Sequence, residues 1–513
     1  MSRAQTGSHE GGAGVGHPWY GAAIEAFAKS QPDAPAIVSP AGTLTFAGLH
    51  RAIERTALEL TQRGLVPGLP VALVLETRVI DLLLMFACHR LGVPAVILGT
   101  DDPPAIARGL VEAGGIRVAV SGGARVPDGL GIPTIMLERL PTAPAAAVLP
   151  APPDAEAACY LVRSSGTTGG IPKLVVTTHG HDAARVETTL RRLPLGPGER
   201  YLAIIGFQFG LGRSWAERSL LHGAAVAVPP ALATVDALKA AAASLGATWT
   251  TMTPVHLKHL LAAAPADAPL LPDLRILVGS APLEPADRLA VMRRVSPDIY
   301  VVYATNEVGA LTLAVPEEIR RNPATAGRPD PVIEMQVVDH LEHPCPAGAV
   351  GTVRFRSAQF PQAYHRTVAG AASRFEGGWF YPGDAGLINA EGELELRGRV
   401  DDLISIGGQK VYPGDIEQHL SAHPAVAEAA AFGVPHRIQG HAALAAVVLR
   451  APVATDELLA HCRATLGAAR SPGRILVVEA LPRTAVGKID RRALRRLVAA
   501  RRSTLGRSGR ADD

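Results

Sequence analysis

Short, wholly apolar runs alternate with stretches of helical spacing along much of this chain. That alternation restricts the fold more than any other feature. Val71-Ala72-Leu73-Val74-Leu75 carries no polar side chain, so as a strand it must be covered on both faces. Residues 78–91 follow with helical spacing and stop at Gly92, and 93–98 form a second apolar strand. The pattern recurs through 118–120, 201–205, 224–228, 238–245, 249–252 and 274–278. Strands buried on both sides need helices on both sides, which predicts a parallel, doubly covered α/β architecture. Ahead of it, 36–38 and 44–46 flank Pro40-Ala41-Gly42 as a hairpin, and 46–63 reads as a helix ended by Gly64.

After about residue 325 the texture changes. Short strands at 334–338, 351–355, 386–388 and 392–396 are separated by Gly, Pro and Asn turns, which predicts a small antiparallel barrel or sheet. From 399 onward helical and strand patterns mix again, over a length that suits a separate small domain. At 513 residues the chain exceeds one core, so more than one domain is expected. The polar, glycine-rich residues 1–16 read as disordered and carry no apolar signal core.

A formal net charge of +3 argues against a general nucleic-acid surface. The most apolar segment, 79–98, is broken by Asp81, His89, Arg90 and Pro94, so no membrane span is expected. Cys88, Cys159, Cys345 and Cys462 form no CxxC pair, which fits a reducing, cytoplasmic setting and no zinc site. The chain has only six lysines, Lys29, Lys173, Lys239, Lys258, Lys410 and Lys488, so one inside a glycine-rich segment draws notice.

Such a segment is Ser164-Ser165-Gly166-Thr167-Thr168-Gly169-Gly170-Ile171-Pro172-Lys173, set between two strand-like runs. Glycines let backbone N–H groups approach a phosphate, hydroxyls donate to it, and the lysine adds charge. Alone, the same composition also has a plainer reading, a flexible Gly/Ser/Thr surface loop. It is not a Walker P-loop, because Pro172 precedes Lys173 and Leu174 follows it; a Rossmann GxGxxG is also absent from the first strand–helix turns.

The segment resembles the signature of the adenylate-forming superfamily, the acyl-CoA synthetases and related AMP-forming ligases. It departs from that pattern by one extra residue before Pro172 and by Leu174 in place of glycine. Five further signatures follow in order: Leu274-Arg275-Ile276-Leu277-Val278-Gly279-Ser280-Ala281; Tyr303-Ala304-Thr305-Asn306-Glu307; Gly378-Trp379-Phe380-Tyr381-Pro382-Gly383-Asp384; Gly398-Arg399-Val400-Asp401-Asp402 running into Gly407-Gly408-Gln409-Lys410; and Pro482-Arg483-Thr484-Ala485-Val486-Gly487-Lys488. The resemblance spans about 20–497. It implies a large domain over 17–398 that holds acyl pocket and nucleotide, a hinge at 399–402, and a mobile α+β catalytic lid over 403–500. A disordered basic tail is expected over 501–513.

By that resemblance ATP activates a carboxylic acid through attack at the α-phosphorus, where catalysis is mostly positioning and charge neutralisation. Ser164, Ser165, Gly166, Thr167, Thr168, Gly169 and Lys173 would hold the leaving pyrophosphate. Gly279, Ser280, Ala281, Tyr303, Ala304 and Thr305 would border the nucleotide, with Asp384 and Arg399 at the ribose. Glu307 is the implied Mg²⁺ ligand, Asn306 stands where the family has an α-phosphate threonine, and Lys488 is the implied adenylation lysine. Rotation about Asp401 would then exchange Lys488 for Gly407 and Gly408, along which a pantetheine thiol runs.

The implied acyl pocket comprises Phe207, Gln208, Phe209, Trp215, Met252 and Val278. It offers no carboxylate for an α-amine, which favours an aryl or medium-chain apolar acid. The acceptor would be coenzyme A or, alternatively, a carrier-protein phosphopantetheine supplied in trans. A third reading, a nucleotide-binding homologue with weakened chemistry, rests on Leu174, Ala304 and Asn306 and is opposed by Lys488, Glu307 and Asp384.

Overall fold

Val71–Leu75 and Ala95–Gly99 are buried along their full length and pair in parallel, as their apolar sequences require. They lie within a seven-stranded sheet ordered Tyr364–His365, Leu174–Thr178, Ala158–Arg163, Ala95–Gly99, Val71–Leu75, Ala119–Ser121 and Thr134–Met136. Pairing is parallel from Ala158–Arg163 onward, whereas Leu174–Thr178 and Tyr364–His365 make an antiparallel edge. The helix Val79–Arg90 is buried on every side from Ile80 onward, its apolar run 82–88 flanked by the buried polar residues Asp81, His89 and Arg90.

This computed structural model describes residues 19–139, 149–164, 173–365, 374–406, 409–436, 440–468, 470–483 and 489–505. The expected disordered N-terminus, 1–16, lies outside the described residues. The chain divides into two units: Met1–Ala231 with Leu245–Ala247 and Ala363–Ala369, and Leu232–Ser244 with Thr248–Gln362 and Gly370–Asp513. The first unit also contains Arg200–Leu202, Ala225–Ala227 and Pro35–Ser39 in parallel, closed by the antiparallel hairpin to Gly42–Thr45.

In the second unit Trp249–Met252, Arg275–Val278 and Ile299–Thr305 are parallel, and Gly309–Ala314 turns back antiparallel on the last. The antiparallel region expected after 325 is a seven-stranded sheet running from Thr325–Gly327 through Leu394–Arg399, Asp384–Ile388, Gly351–Arg356 and Trp379–Phe380 to Phe375–Glu376. Glu334–Val338 branches from Gly351–Arg356, and Val353, Phe355, Phe380 and Leu394 form the core beneath.

The C-terminal domain folds around its own sheet, Gln409–Val411, Ile404–Ile406, Gly440–Leu449 and Val426–His436, with Arg474–Val477 paired in parallel to Gly440–Leu449. Strand alternation splits its core in two. Ala429 and Ala431 pack against Ile416, Leu420, Leu458 and Cys462, while Ala430 and Phe432 face Leu494 and Val498. Leu494 and Val498 sit four residues apart on the helix Arg491–Leu505.

Candidate functional site

The second unit gathers much of the expected nucleotide machinery. Asp384 and Arg399 are cross-strand partners between Asp384–Ile388 and Leu394–Arg399. Arg399 Nη1 donates to Asp384 Oδ1 at 3.0 Å and to the Pro382 carbonyl at 2.7 Å. Gly383 is required between them: its φ is +81°, and a Cβ there would stand 2.6 Å from Arg399 Nη2. Tyr303, on Ile299–Thr305, donates its hydroxyl to the other Asp384 oxygen, Oδ2. Burial, reinforced by the Asp384 charge, pushes the Tyr303 phenol well above its usual range, so it remains a donor. Each Asp384 oxygen therefore accepts one bond and keeps a lone pair for a further hydroxyl.

Gly279 follows Arg275–Val278, is buried, and donates its N–H to the Met252 carbonyl at 3.2 Å. Ser280 is exposed with a positive φ of 74°, and Ala281 is half-buried. Ala304 and Asn306 are exposed, and the Thr305 hydroxyl accepts the Val308 N–H at 3.4 Å. Glu307, beside Asn306, is 0% exposed. Its Oε1 lies 3.6 Å from Arg374 Nη1, a side chain 23% exposed. Among the described residues no group of three or more His, Cys, Asp or Glu is gathered to hold a metal. One hard carboxylate oxygen suits Mg²⁺, which keeps several waters and takes its other ligands from nucleotide phosphates.

In the first unit Ser164 is buried, and its N–H donates to the Lys173 carbonyl at 2.8 Å, closing the ladder between Ala158–Arg163 and Leu174–Thr178. The Lys173 ammonium sits 4.9 Å from the Tyr364 ring centroid. Ser165, Gly166, Thr167, Thr168 and Gly169 lie outside the described residues. Leu174, the departure from glycine, is 2% exposed in a strand opposite Arg163, so it serves the core.

The expected acyl residues divide by exposure. Phe207, Met252 and Val278 are 0% exposed and Trp215 is 5%, so they pack as core, whereas Phe209 is 46% exposed. Gln208 is half-buried. The helix Gly210–Leu221 starts close under Ile205 because Gly212 has no Cβ, which would stand 2.2 Å from the Ile205 carbonyl. Glu217 anchors the same helix: Tyr160 donates to its Oε1, and Tyr20 to its Oε2 at 3.5 Å. Burial pushes the Glu217 carboxyl up to about 7, opposed by Arg213. Nearby, burial drives His89 well below its usual range and His179 down to about 4.

At the expected hinge Asp401 is exposed, and the Leu403 N–H donates to the Val400 carbonyl at 3.1 Å. Asp402 lies 3.6 Å from Arg491 and 3.7 Å from Arg495. Glu428 accepts Lys258 at 2.9 Å and both ends of its carboxylate accept Arg483, at 3.0 and 2.9 Å. Burial works to raise the Glu428 carboxyl, but the Lys258 ammonium, and after it Arg483, hold it below its usual range. Arg483 and Ile489 form an antiparallel bridge, while Gly407, Gly408 and Lys488 lie outside the described residues.

Sequence reasoning missed Arg374, Glu428 and Lys258. Arg374 precedes the Gly378-Trp379 signature without belonging to it, and nothing in its spacing from Glu307 signals the pair. Lys258 alone carried a hint, as one of six lysines.

A family model described as AMP-binding enzyme matches residues 24–365, and one described as AMP-binding enzyme C-terminal domain matches 415–488. A sulfoacetate–CoA ligase of Cupriavidus necator is 28% identical over 493 residues, covering 92% of this chain and 96% of that one. The fatty acid–[acyl-carrier-protein] ligase ScoC of Streptomyces coeruleorubidus is 28% identical over 507 residues, covering 91% and 94%. Among solved structures, the o-succinylbenzoate CoA synthetase MenE of Bacillus subtilis with its acyl-adenylate intermediate has a TM-score of 0.82. It is 25% identical, covering 93% of this chain and 98% of that one.

Proposed function

The chain belongs to the AMP-binding enzyme family, and from that premise we propose that it is an AMP-forming acid–thiol ligase. It adenylates a carboxylic acid with ATP, releases pyrophosphate, and passes the acyl group to coenzyme A. The observation that carries this reading is the Tyr303–Asp384–Arg399 cluster. It presents an oriented carboxylate to a vicinal diol in the same unit as buried Glu307.

In this reading Asp384 accepts from the ribose hydroxyls while Arg399 and Tyr303 hold it in place. Ser164 to Lys173 grips the β,γ-phosphates from a base clamped by the Ser164–Lys173 backbone bond. Glu307 holds Mg²⁺, which when bound neutralises phosphate charge. Asn306, exposed beside it, donates its amide to the α-phosphate. Lys488 supplies the charge that stabilises the transition state joining carboxylate and α-phosphorus. Once the adenylate has formed, rotation about Asp401 brings Gly407 and Gly408 to the site, and the thiol attacks the acyl carbon and expels AMP.

The acid is aryl or medium-chain and apolar, because Phe209 is the large apolar side chain that this segment leaves accessible. A carrier-protein acceptor is the second reading, favoured by the likeness to an acyl-carrier-protein ligase. Among the described residues no helix is long and apolar enough to cross a membrane. A cytoplasmic setting suits four free cysteines.

ATP–pyrophosphate exchange across a panel of carboxylic acids tests the reading, repeated with CoA and with carrier protein. Exchange with at least one acid, abolished in Lys488→Ala, is expected. ATP binding with no exchange for any acid would overturn it.

A further inference from the structure

Glu307 is fully enclosed, at 0% exposure, and the guanidinium facing it is more accessible than it is. Arg374 approaches Glu307 Oε1 to 3.6 Å while its own side chain is 23% exposed, so the cation lies toward the surface side of the buried anion. At that separation the contact is an ion pair without a hydrogen bond, held by charge more than by geometry. Its backbone is fixed independently: the Tyr381 N–H donates to the Arg374 carbonyl at 2.7 Å, at the mouth of the Phe375–Glu376 and Trp379–Phe380 hairpin. A buried carboxylate is costly unless a cation accompanies it, and a second cation reaching the same carboxylate meets repulsion from the first.

We propose that Arg374 is the resident counter-cation of Glu307, a positioning residue that neutralises the carboxylate before nucleotide arrives and gives way to Mg²⁺ entering with ATP. The proposal rests on the reading of Glu307 as the Mg²⁺ ligand. Arg374 thereby sets how much Mg²⁺ the enzyme needs, and it offsets part of the buried charge while the site is empty.

The test uses the full chain and two readouts that need no turnover: Mg²⁺ titration of ATP binding by calorimetry, and thermal unfolding in EDTA without nucleotide. Arg374→Gln should lower the Mg²⁺ concentration for half-maximal ATP binding about three- to tenfold. The same variant should unfold at a lower temperature in EDTA and recover when Mg²⁺ is added. Arg374→Lys, which keeps the charge, should resemble wild type in both. An unchanged or increased Mg²⁺ requirement in Arg374→Gln overturns the proposal; an increase would instead make Arg374 a phosphate ligand. If Arg374→Gln does not fold, the double variant with Glu307→Gln removes both charges and should fold again, and failure to do so counts against the pairing. Wild-type protein whose ATP binding ignores Mg²⁺ would instead overturn the reading of Glu307 itself.

Discussion

Lys258 Nζ lies 2.9 Å from Glu428 Oε1, joining the helix Pro254–Ala263 to the strand Val426–His436 of the C-terminal domain. Arg483 closes on the same carboxylate five residues before Lys488, so Glu428 ties the base of the lysine-bearing segment to the helix that follows Thr253-Pro254.

Glu428→Gln and Lys258→Met should therefore separate the two half-reactions. We expect pyrophosphate exchange and thioester formation from supplied acyl-adenylate to change by different factors, with stability falling by about 1 kcal/mol or less because the side chains are 24–35% exposed. Parallel measurement of the two rates decides; equal changes in both would show that the contact does not bias the domain.

The Tyr303–Asp384–Arg399 cluster, read as the ribose site proposed above, predicts an ordering among substitutions. Asp384→Asn and Arg399→Met should each weaken ATP binding about tenfold or more, since a charged hydrogen bond is worth roughly 1.5–3 kcal/mol. Tyr303→Phe leaves Arg399 in place on Asp384 and should cost less. Calorimetric titration with ATP and AMP separates these outcomes.

Phe207 and Phe209 stand two residues apart with opposite exposure. Phe207→Ala should destabilise the chain by about 3–5 kcal/mol through a core cavity. Phe209→Ala should stay within about 0.5 kcal/mol of wild type while changing which acids support pyrophosphate exchange. Chemical denaturation and the acid panel test the two halves.

The Glu217 network predicts a pH profile. Its carboxyl is raised from 4.5 to about 7, so the folded state binds the extra proton and this group's contribution falls as pH rises from about 4.5 through 7. His89 and His179 are lowered from 6.5, so their contribution is lost as pH falls below about 6.5. Between pH 5 and 6.5 the two histidines outweigh the one carboxyl, so the contribution of this network to stability should rise with pH and level near 7. In Glu217→Gln the opposing slope disappears and the rise should steepen, measurable as denaturation midpoints from pH 5 to 8.

The architecture was legible because an all-apolar strand such as Val71–Leu75 has only one kind of home, and ordered signatures carried the family. Antiparallel returns such as Gly309–Ala314 were less legible, since apolar strands do not declare their direction. The signatures named Asp384, Arg399 and Tyr303 separately, but only the fold shows both Asp384 oxygens already engaged. Exposure was beyond reach too: Phe207 and Phe209 look alike in sequence, and local backbone direction alone decides which is core. The Arg374–Glu307 and Lys258–Glu428 pairs join residues 67 and 170 positions apart, distances over which charge pattern carries no signal.

The backbone bond from Ser164 to Lys173 changes what the extra residue before Pro172 means. Ser164 and Lys173 are tied across eight intervening residues, and the entropy of closing a stretch between fixed ends grows only logarithmically with its length. Lengthening such a loop from seven to eight residues costs about 0.1 kcal/mol. The hairpin thus makes this stretch tolerant of insertion, so its length can drift while the strands on either side keep their register.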